Sequence, residues 1–182
     1  KVKSQLDVML QKAVIEKVPV GEVPEWTMAL VVVPKKDSAE PRITIDFSPL
    51  NKYVKRLGYP TKVPAEEIAQ VPTGMKFFTT LDGRHGYWQV PLAEESRPLT
   101  TFLTPWGHYR FRRNVMGLIS AGDEHNLRGD RAIEGVGNVK KIVEDILIYD
   151  DDYETHVARV REVLRRCKEH GITLSQRKAK FA

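Results

Sequence analysis

Apolar positions recur at helical spacing in two long stretches of the chain and cluster or alternate in several shorter ones, so the pattern predicts helices and strands in mixture. In "SQLDVMLQKAVIEK", Leu6, Met9, Leu10, Ala13 and Val14 follow Ser4, a capping residue type, and predict an amphipathic helix. "YETHVARVREVLRRCKEHG" repeats the pattern, with Val157, Val160, Leu164 and Cys167 on one stripe and Gly171 closing it. "MALVVVPKK" and "PRITIDF" are β-rich runs on either side of "DSAE" and predict a hairpin with a basic rim. "YPTKVPAEEIAQVPTG" holds a short helix between prolines, and "KFFTTLD" predicts a buried strand ending in Asp82. "RPLTTFLT" and "HYRFRR" are strand candidates around the turn "PWG". "SAGDEHNLRGDRAIEG" predicts a helix that Gly122 and Gly129 weaken, and "NVKKIVEDILIYDD" predicts two strands. This order of elements implies an α+β fold in which an antiparallel sheet is backed by helices.

Composition narrows the reading. At 182 residues and 41% hydrophobic content the chain can bury one sizeable core and need not be more than one domain with an appended lobe. No apolar run reaches membrane-spanning length, no signal peptide is read at the N-terminus, and the single Cys167 excludes an intrachain disulfide framework and a cysteine-based metal site. An intracellular, cytoplasmic location without a membrane partner is therefore expected. The net charge of +5 favours a polyanionic partner. A start at Lys1 and a stop at "RKAKFA" suggest a segment of a longer chain.

Within "VKKIVEDILIYDDD", Glu144 and Asp145 interrupt an apolar run at a hairpin turn, where Asn-Gly or Asp-Gly would suit the backbone better. Adjacent acids between apolar strands repel one another and lose hydration unless a cation neutralises them. A divalent metal is the natural cation, and Asp82 the natural third acid, because Mg²⁺ gathers carboxylates from separate segments together with substrate phosphates. A solvated turn at Glu144-Asp145 and a helix cap at Asp82 remain the alternative. "DDDY" reads as solvated or capping the following helix.

At this point the chain resembles the reverse transcriptase of gypsy-type LTR retrotransposons. "MLQKAVIEK" is similar to the family's N-terminal helix, and "WTMALVVVPKKDSAEPRITIDFSPLNKYVKR" to its fingers segment. "FFTTLDGRHGYWQVPLAEESRPLTTFLTPWGHYRF" resembles the palm block with the first catalytic aspartate, and "MGLISAGDEHN" the block that positions the template. "IVEDILIY" stands at the "YxDD" box, and "THVARVREVLRRCKEHGITLSQRKAKFA" looks like the palm helix and strand that follow. Ordered blocks at family-like spacing carry far more weight than a lone motif.

The resemblance implies a polymerase palm with a fingers subdomain. Residues 1–76 would be mainly fingers and 77–182 mainly palm, with some fingers residues between 90 and 115, and the thumb, connection and RNase H regions would lie outside the chain. It implies addition of deoxynucleotides to a primer 3′ end on an RNA or DNA template, with Mg²⁺, or alternatively Mn²⁺, held by Asp82, Glu144 and Asp145. Lys35 and Arg42 would contact the triphosphate, His85 and Gly86 would approach it through backbone amides, and Tyr87 would lie beneath the sugar. Gly117 would let the backbone pass close to template or nucleotide. Lys36, Arg110, Arg112 and Arg113, together with Lys140 and Lys141, would meet nucleic-acid phosphates. Without the resemblance these are surface cations, a buried aromatic and turn glycines. The implied partners are a primer-template, deoxynucleoside triphosphates and the rest of a retroelement polyprotein.

Three departures stand out. The box reads Ile142-Val143-Glu144-Asp145 where the family has Tyr-x-Asp-Asp, Val115-Met116 precede Gly117-Leu118 where it has Pro-Phe, and "SAGDEH" replaces "APxxF". A divergent active lineage and a decayed, nucleic-acid-binding descendant both fit them.

Overall fold

The computed structural model describes residues 1–35, 38–56 and 58–181, with backbone alone at Lys35, Ser38 and Ala39. The chain divides into two compact units, residues 1–56 with 90–121 and residues 57–89 with 122–182.

The first unit opens with α1 (Val2–Gln11), which buries Leu6 and Met9. It stops well short of the predicted helix. Ala13 takes φ +51, and Ile15–Lys17 becomes strand β1, paired antiparallel with β6 (Gly107–Phe111) through Ile15↔Phe111. Val14 and Ile15 continue the apolar spacing of α1, but β-branched residues fit a pleated sheet better than a helix, and the partner strand decides between them. Lys1, not Ser4, holds the cap position, and its side chain makes no capping hydrogen bond.

Strands β2 (Met28–Lys35) and β3 (Ser38–Asp46) form the predicted hairpin, with a register shift between Val33 and Lys35. Strand β5 (Phe102–Thr104) lies parallel to β2, pairing Met28↔Phe102, and completes the sheet order β1-β6-β5-β2-β3. This one pair is parallel, in a fold whose element order implies an antiparallel sheet backed by helices. A parallel pair requires a long crossover, and the chain makes one here by contributing residues 57–89 to the other unit. Phe47, Phe102, Tyr109 and Phe111 fill the core, with the Phe102 and Phe111 rings 5.4 Å apart. A short helix, α2 (Ser48–Asn51), ends in Asn51, whose amide grips the loop around Gly117.

The second unit contains α3 (Pro64–Ala69), β4 (Phe77–Asp82), α4 (Ala121–Ile133), β7 (Val139–Ile142), β8 (Asp145–Asp150) and α5 (Tyr153–Glu169). Its sheet runs β4-β8-β7, antiparallel throughout, and α5 covers it through Leu81, Ile146, Ile148, Val160, Val163 and Cys167. The α+β arrangement of an antiparallel sheet backed by helices is as the element order implies.

The buried stripe of α5 differs from the predicted one. His156, Val160, Val163 and Cys167 face inward, whereas Leu164 is 38% exposed. A polar residue can take an inward position when its hydrogen bonds are satisfied, and both ring nitrogens of His156 have partners, Thr79 Oγ1 at 2.7 Å and Asp150 Oδ2 at 3.0 Å. Asp150 is accordingly buried rather than solvated, and also accepts from Arg159 and Asn138. Asp152 caps α5 by accepting from the Thr155 amide, as the sequence suggests.

Candidate active site

Strands β4 and β8 run in register, so Leu81 faces Ile146 and Asp82 faces Asp145. Directly paired residues of neighbouring strands project from the same face with their Cα atoms about 4.5–5.5 Å apart. The two carboxylates are therefore brought together by strand register alone, across 63 residues of sequence.

The β7–β8 turn does not fall where the sequence suggests. Ile142 pairs with Asp145, which leaves Val143 and Glu144 as the two turn residues and makes Asp145 the first residue of β8. Val143 adopts φ +54, an uncommon conformation for a β-branched side chain and a source of local strain. The Gly83 amide donates to the Glu144 carbonyl at 2.9 Å and ties the turn to the residue after Asp82. A Cβ on Gly83 would press on that carbonyl at 3.4 Å. Burial pushes the Glu144 carboxyl above its ordinary range, Asp82 and Asp145 add to the rise, and Lys178 opposes it.

Lys178 comes from the segment after α5. That segment runs along β4, with Thr80 and Lys180 exchanging a pair of 2.9 Å backbone hydrogen bonds and the Ser175 amide donating to the Asp82 carbonyl at 2.8 Å. Lys178 Nζ donates to Asp82 Oδ2 at 2.9 Å. Among the described residues, no three His, Cys, Asp or Glu side chains converge closely enough to hold a metal ion as they stand. The donor set nonetheless fits Mg²⁺, which accepts one or two hard carboxylates and completes its shell with water and phosphate oxygens.

The segment after Asp82 is shaped by one side chain of α4. His125 lies against Gly86, where a Cβ would come within 2.5 Å of its Cε1, and its ring sits 5.4 Å from that of Tyr87. Burial lowers the His125 pKa, Lys141 and Arg128 lower it further, and a hydrogen bond with the Val143 backbone works against them. Its Nε2 is buried with no hydrogen-bond partner among the described residues. Tyr87 has its pKa raised by burial and then by Glu144, so the phenol senses the acidic turn. His85 takes φ +52 and stacks on Trp88 at 4.7 Å. Sequence reasoning did not single out His125; the available signal was its place in "SAGDEH", where the family pattern has an aromatic residue.

Lys141 is also placed differently from its expected role. It is buried, with Nζ 3.5 Å from Asn126 Oδ1 and 3.6 Å from Asp130 Oδ1, and burial lowers its pKa. Lys140 bonds Gln70 and Glu67. Neither ammonium is free for phosphate.

The remaining residues belong to the first unit. Arg42 is exposed on β3 opposite Val33, Lys35 ends β2 opposite Ser38, and Lys36 lies outside the described residues. Gly117 takes φ +105, and a side chain there would meet the Phe47 ring at 3.4 Å. Asn51 secures this loop by donating to the Gly117 carbonyl at 2.8 Å and accepting from the Ile119 amide at 2.9 Å. Arg110 donates to Glu16 and Glu22, each at 2.7 Å, and Arg112 lies 3.5 Å from Glu16. Arg113 pairs with Pro91 in an isolated bridge.

Residues 33–182 match the family described as Reverse transcriptase (RNA-dependent DNA polymerase). The chain is 33% identical over 150 residues to the enzymatic polyprotein of Cauliflower mosaic virus (strain D/H), a match that covers 81% of the chain and 22% of the polyprotein. It is 32% identical over 145 residues to the retrovirus-related Pol polyprotein from transposon gypsy of Drosophila melanogaster, covering 77% of the chain and 14% of that protein. The chain thus spans less than a quarter of the curated relatives it matches. A foamy viral protease-reverse transcriptase, solved in complex with an RNA/DNA hybrid, superposes with a TM-score of 0.88 at 19% identity, covering 99% of this chain and 24% of that one. That likeness shows the α+β fold of a polymerase palm with fingers. With the family matched over most of its length, the chain belongs to the reverse transcriptase (RNA-dependent DNA polymerase) family.

Proposed function

We propose that this chain is the fingers and palm of a polymerase that adds deoxynucleotides to a primer 3′ end on an RNA or DNA template. The unit of residues 57–89 and 122–182 is read as palm, and the unit of residues 1–56 and 90–121 as fingers. The observation that carries the proposal is the in-register pairing of Asp82 with Asp145, with Glu144 in the adjoining turn.

In this reading Asp82, Glu144 and Asp145 hold Mg²⁺ or Mn²⁺ jointly with the triphosphate. The ions supply charge stabilisation for in-line attack by the primer hydroxyl and for the departing pyrophosphate. The chain's own groups position the reactants. Lys35 and Arg42 offset triphosphate charge, backbone amides of His85 and Gly86 face the phosphates, and the Tyr87 ring forms a flat wall that excludes a 2′-hydroxyl. Gly117, held by Asn51, keeps a backbone surface clear of side chain. Lys36 and Arg113 meet template or primer phosphates, and Arg110 and Arg112 do so only by giving up their acidic partners. The foamy viral complex with an RNA/DNA hybrid supports a primer-template partner. The polyprotein relatives support a place within a retroelement polyprotein, and the cytoplasm is the compartment proposed for it. Among the described residues no helix is long and apolar enough to cross a membrane.

Single-nucleotide incorporation onto a primer-template tests this. Asp82→Asn should lower the rate by at least about a hundredfold, and Glu144→Asp should raise the Mg²⁺-dependent rate, because Mg²⁺ tolerates displaced ligands poorly. An undiminished rate in Asp82→Asn would overturn the site. Glu144 in place of the usual aspartate favours a second reading, a binding module that no longer catalyses. Template binding with no incorporation in either metal would select it.

A further inference from the structure

Asp82 and its acidic neighbours Glu144 and Asp145 already have a cation. Lys178 Nζ stands 2.9 Å from Asp82 Oδ2, and its charge also reaches Glu144 and Asp145. The lysine is delivered by an anchored segment rather than a loose tail. Backbone hydrogen bonds between Thr80 and Lys180 lie on one side of it and the Ser175–Asp82 bond on the other, while its own amide donates to Ser175 at 3.1 Å. Its side chain is 64% exposed, so the ammonium keeps much of its hydration and can leave Asp82 at little cost. A buried pair would lock the same carboxylate.

We propose that Lys178 is a resident counter-ion that holds the acids together in the metal-free protein and competes with the divalent ion for Asp82. The proposal rests on the reading of Asp82, Glu144 and Asp145 as metal ligands. Asp82 Oδ2 cannot donate its electron pair to a metal at full strength while it accepts from an ammonium. Metal entry therefore displaces Lys178, and the lysine lowers the affinity of the free protein for metal. Phosphates arriving with the ion offer the released ammonium a new partner. Metal alone is then held weakly, and metal with nucleotide is held well.

Mn²⁺ binding to the protein without nucleotide or nucleic acid, followed by the electron paramagnetic resonance signal of free Mn²⁺, tests this. Lys178→Met should bind Mn²⁺ about threefold to tenfold more tightly than the unmodified protein, the range expected for losing one exposed ion pair and a neighbouring positive charge. Lys178→Arg should stay close to the unmodified value. Asp82→Asn should abolish the site with either residue at 178. Equal or weaker binding by Lys178→Met, with the loss in Asp82→Asn intact, would overturn the counter-ion role and leave the metal site standing. Mn²⁺ binding that does not depend on Asp82 in either background would overturn the metal-site reading itself.

Discussion

His156 and Asp150 face each other across 3.0 Å, Nδ1 to Oδ2, in the interior of the second unit, and neither side chain is more than 3% exposed. Thr79 closes the other ring nitrogen, and Arg159 takes the second carboxylate oxygen. The geometry resembles a nucleophile-base-acid relay, but Thr79 is itself fully buried, so the network serves to link β4, β8 and α5.

Removing one partner strands the others away from water. Asp150→Ala is expected to destabilise the protein by about 3–5 kcal/mol, and His156→Ala by about 2–4 kcal/mol. Urea denaturation followed by circular dichroism checks both. A loss below about 1 kcal/mol in either variant would show that the network contributes little.

Gly129 offers a sharper comparison. An interior helical glycine usually gains roughly 0.5–1 kcal/mol on conversion to alanine. Here a Cβ would fall 2.0 Å from Lys141 Cε, so Gly129→Ala should destabilise, by about 1–3 kcal/mol. Against a Lys141→Ala background the same change should be neutral or stabilising, because the lysine stem that it meets is gone. Additive losses in the double variant would refute the proposed contact.

His125 carries a pH signature. Its folded-state pKa lies below the ordinary 6.5, so between the two values the unfolded chain binds more protons than the folded one. Its contribution is complete above pH 6.5 and is lost as pH falls through the folded value. His125→Phe, which keeps an aromatic ring beside Gly86 and Tyr87, should therefore flatten the decline in melting temperature below pH 6.5. An unchanged acid slope in that variant would place the titration elsewhere.

Residues that act through periodicity or through family-like blocks were legible in the sequence. β4 ending at Asp82, α4, the two strands around Glu144 and the cap at Asp152 follow from local pattern. Decisions made by distant partners were not. Ile15 becomes a strand because Phe111 is opposite it, and the turn shifts by one residue because Ile142 pairs with Asp145. Lys141 looked like a surface cation because Gly129 and Asp130, which admit and pair it, lie on α4, 11–12 residues away in sequence. The predicted stripe of α5 left out His156, whose inward place depends on bonds from Asp150 and Thr79.

The order of the first sheet has a consequence during synthesis on the ribosome. Strand β1 has β6 as its neighbour, and β2 has β5 on the side away from β3. Both partners are translated after residue 101, whereas β1 and β2 are complete by residue 35. For the intervening stretch the β2–β3 hairpin leaves the β2 edge, rich in valine at positions 31 to 33, without its β5 neighbour. Such an edge is a template for wrong pairing until its proper neighbour emerges. Slower elongation before residue 102 should therefore lower the yield of native protein, while the contiguous β7–β8 hairpin and α5 would be indifferent to it.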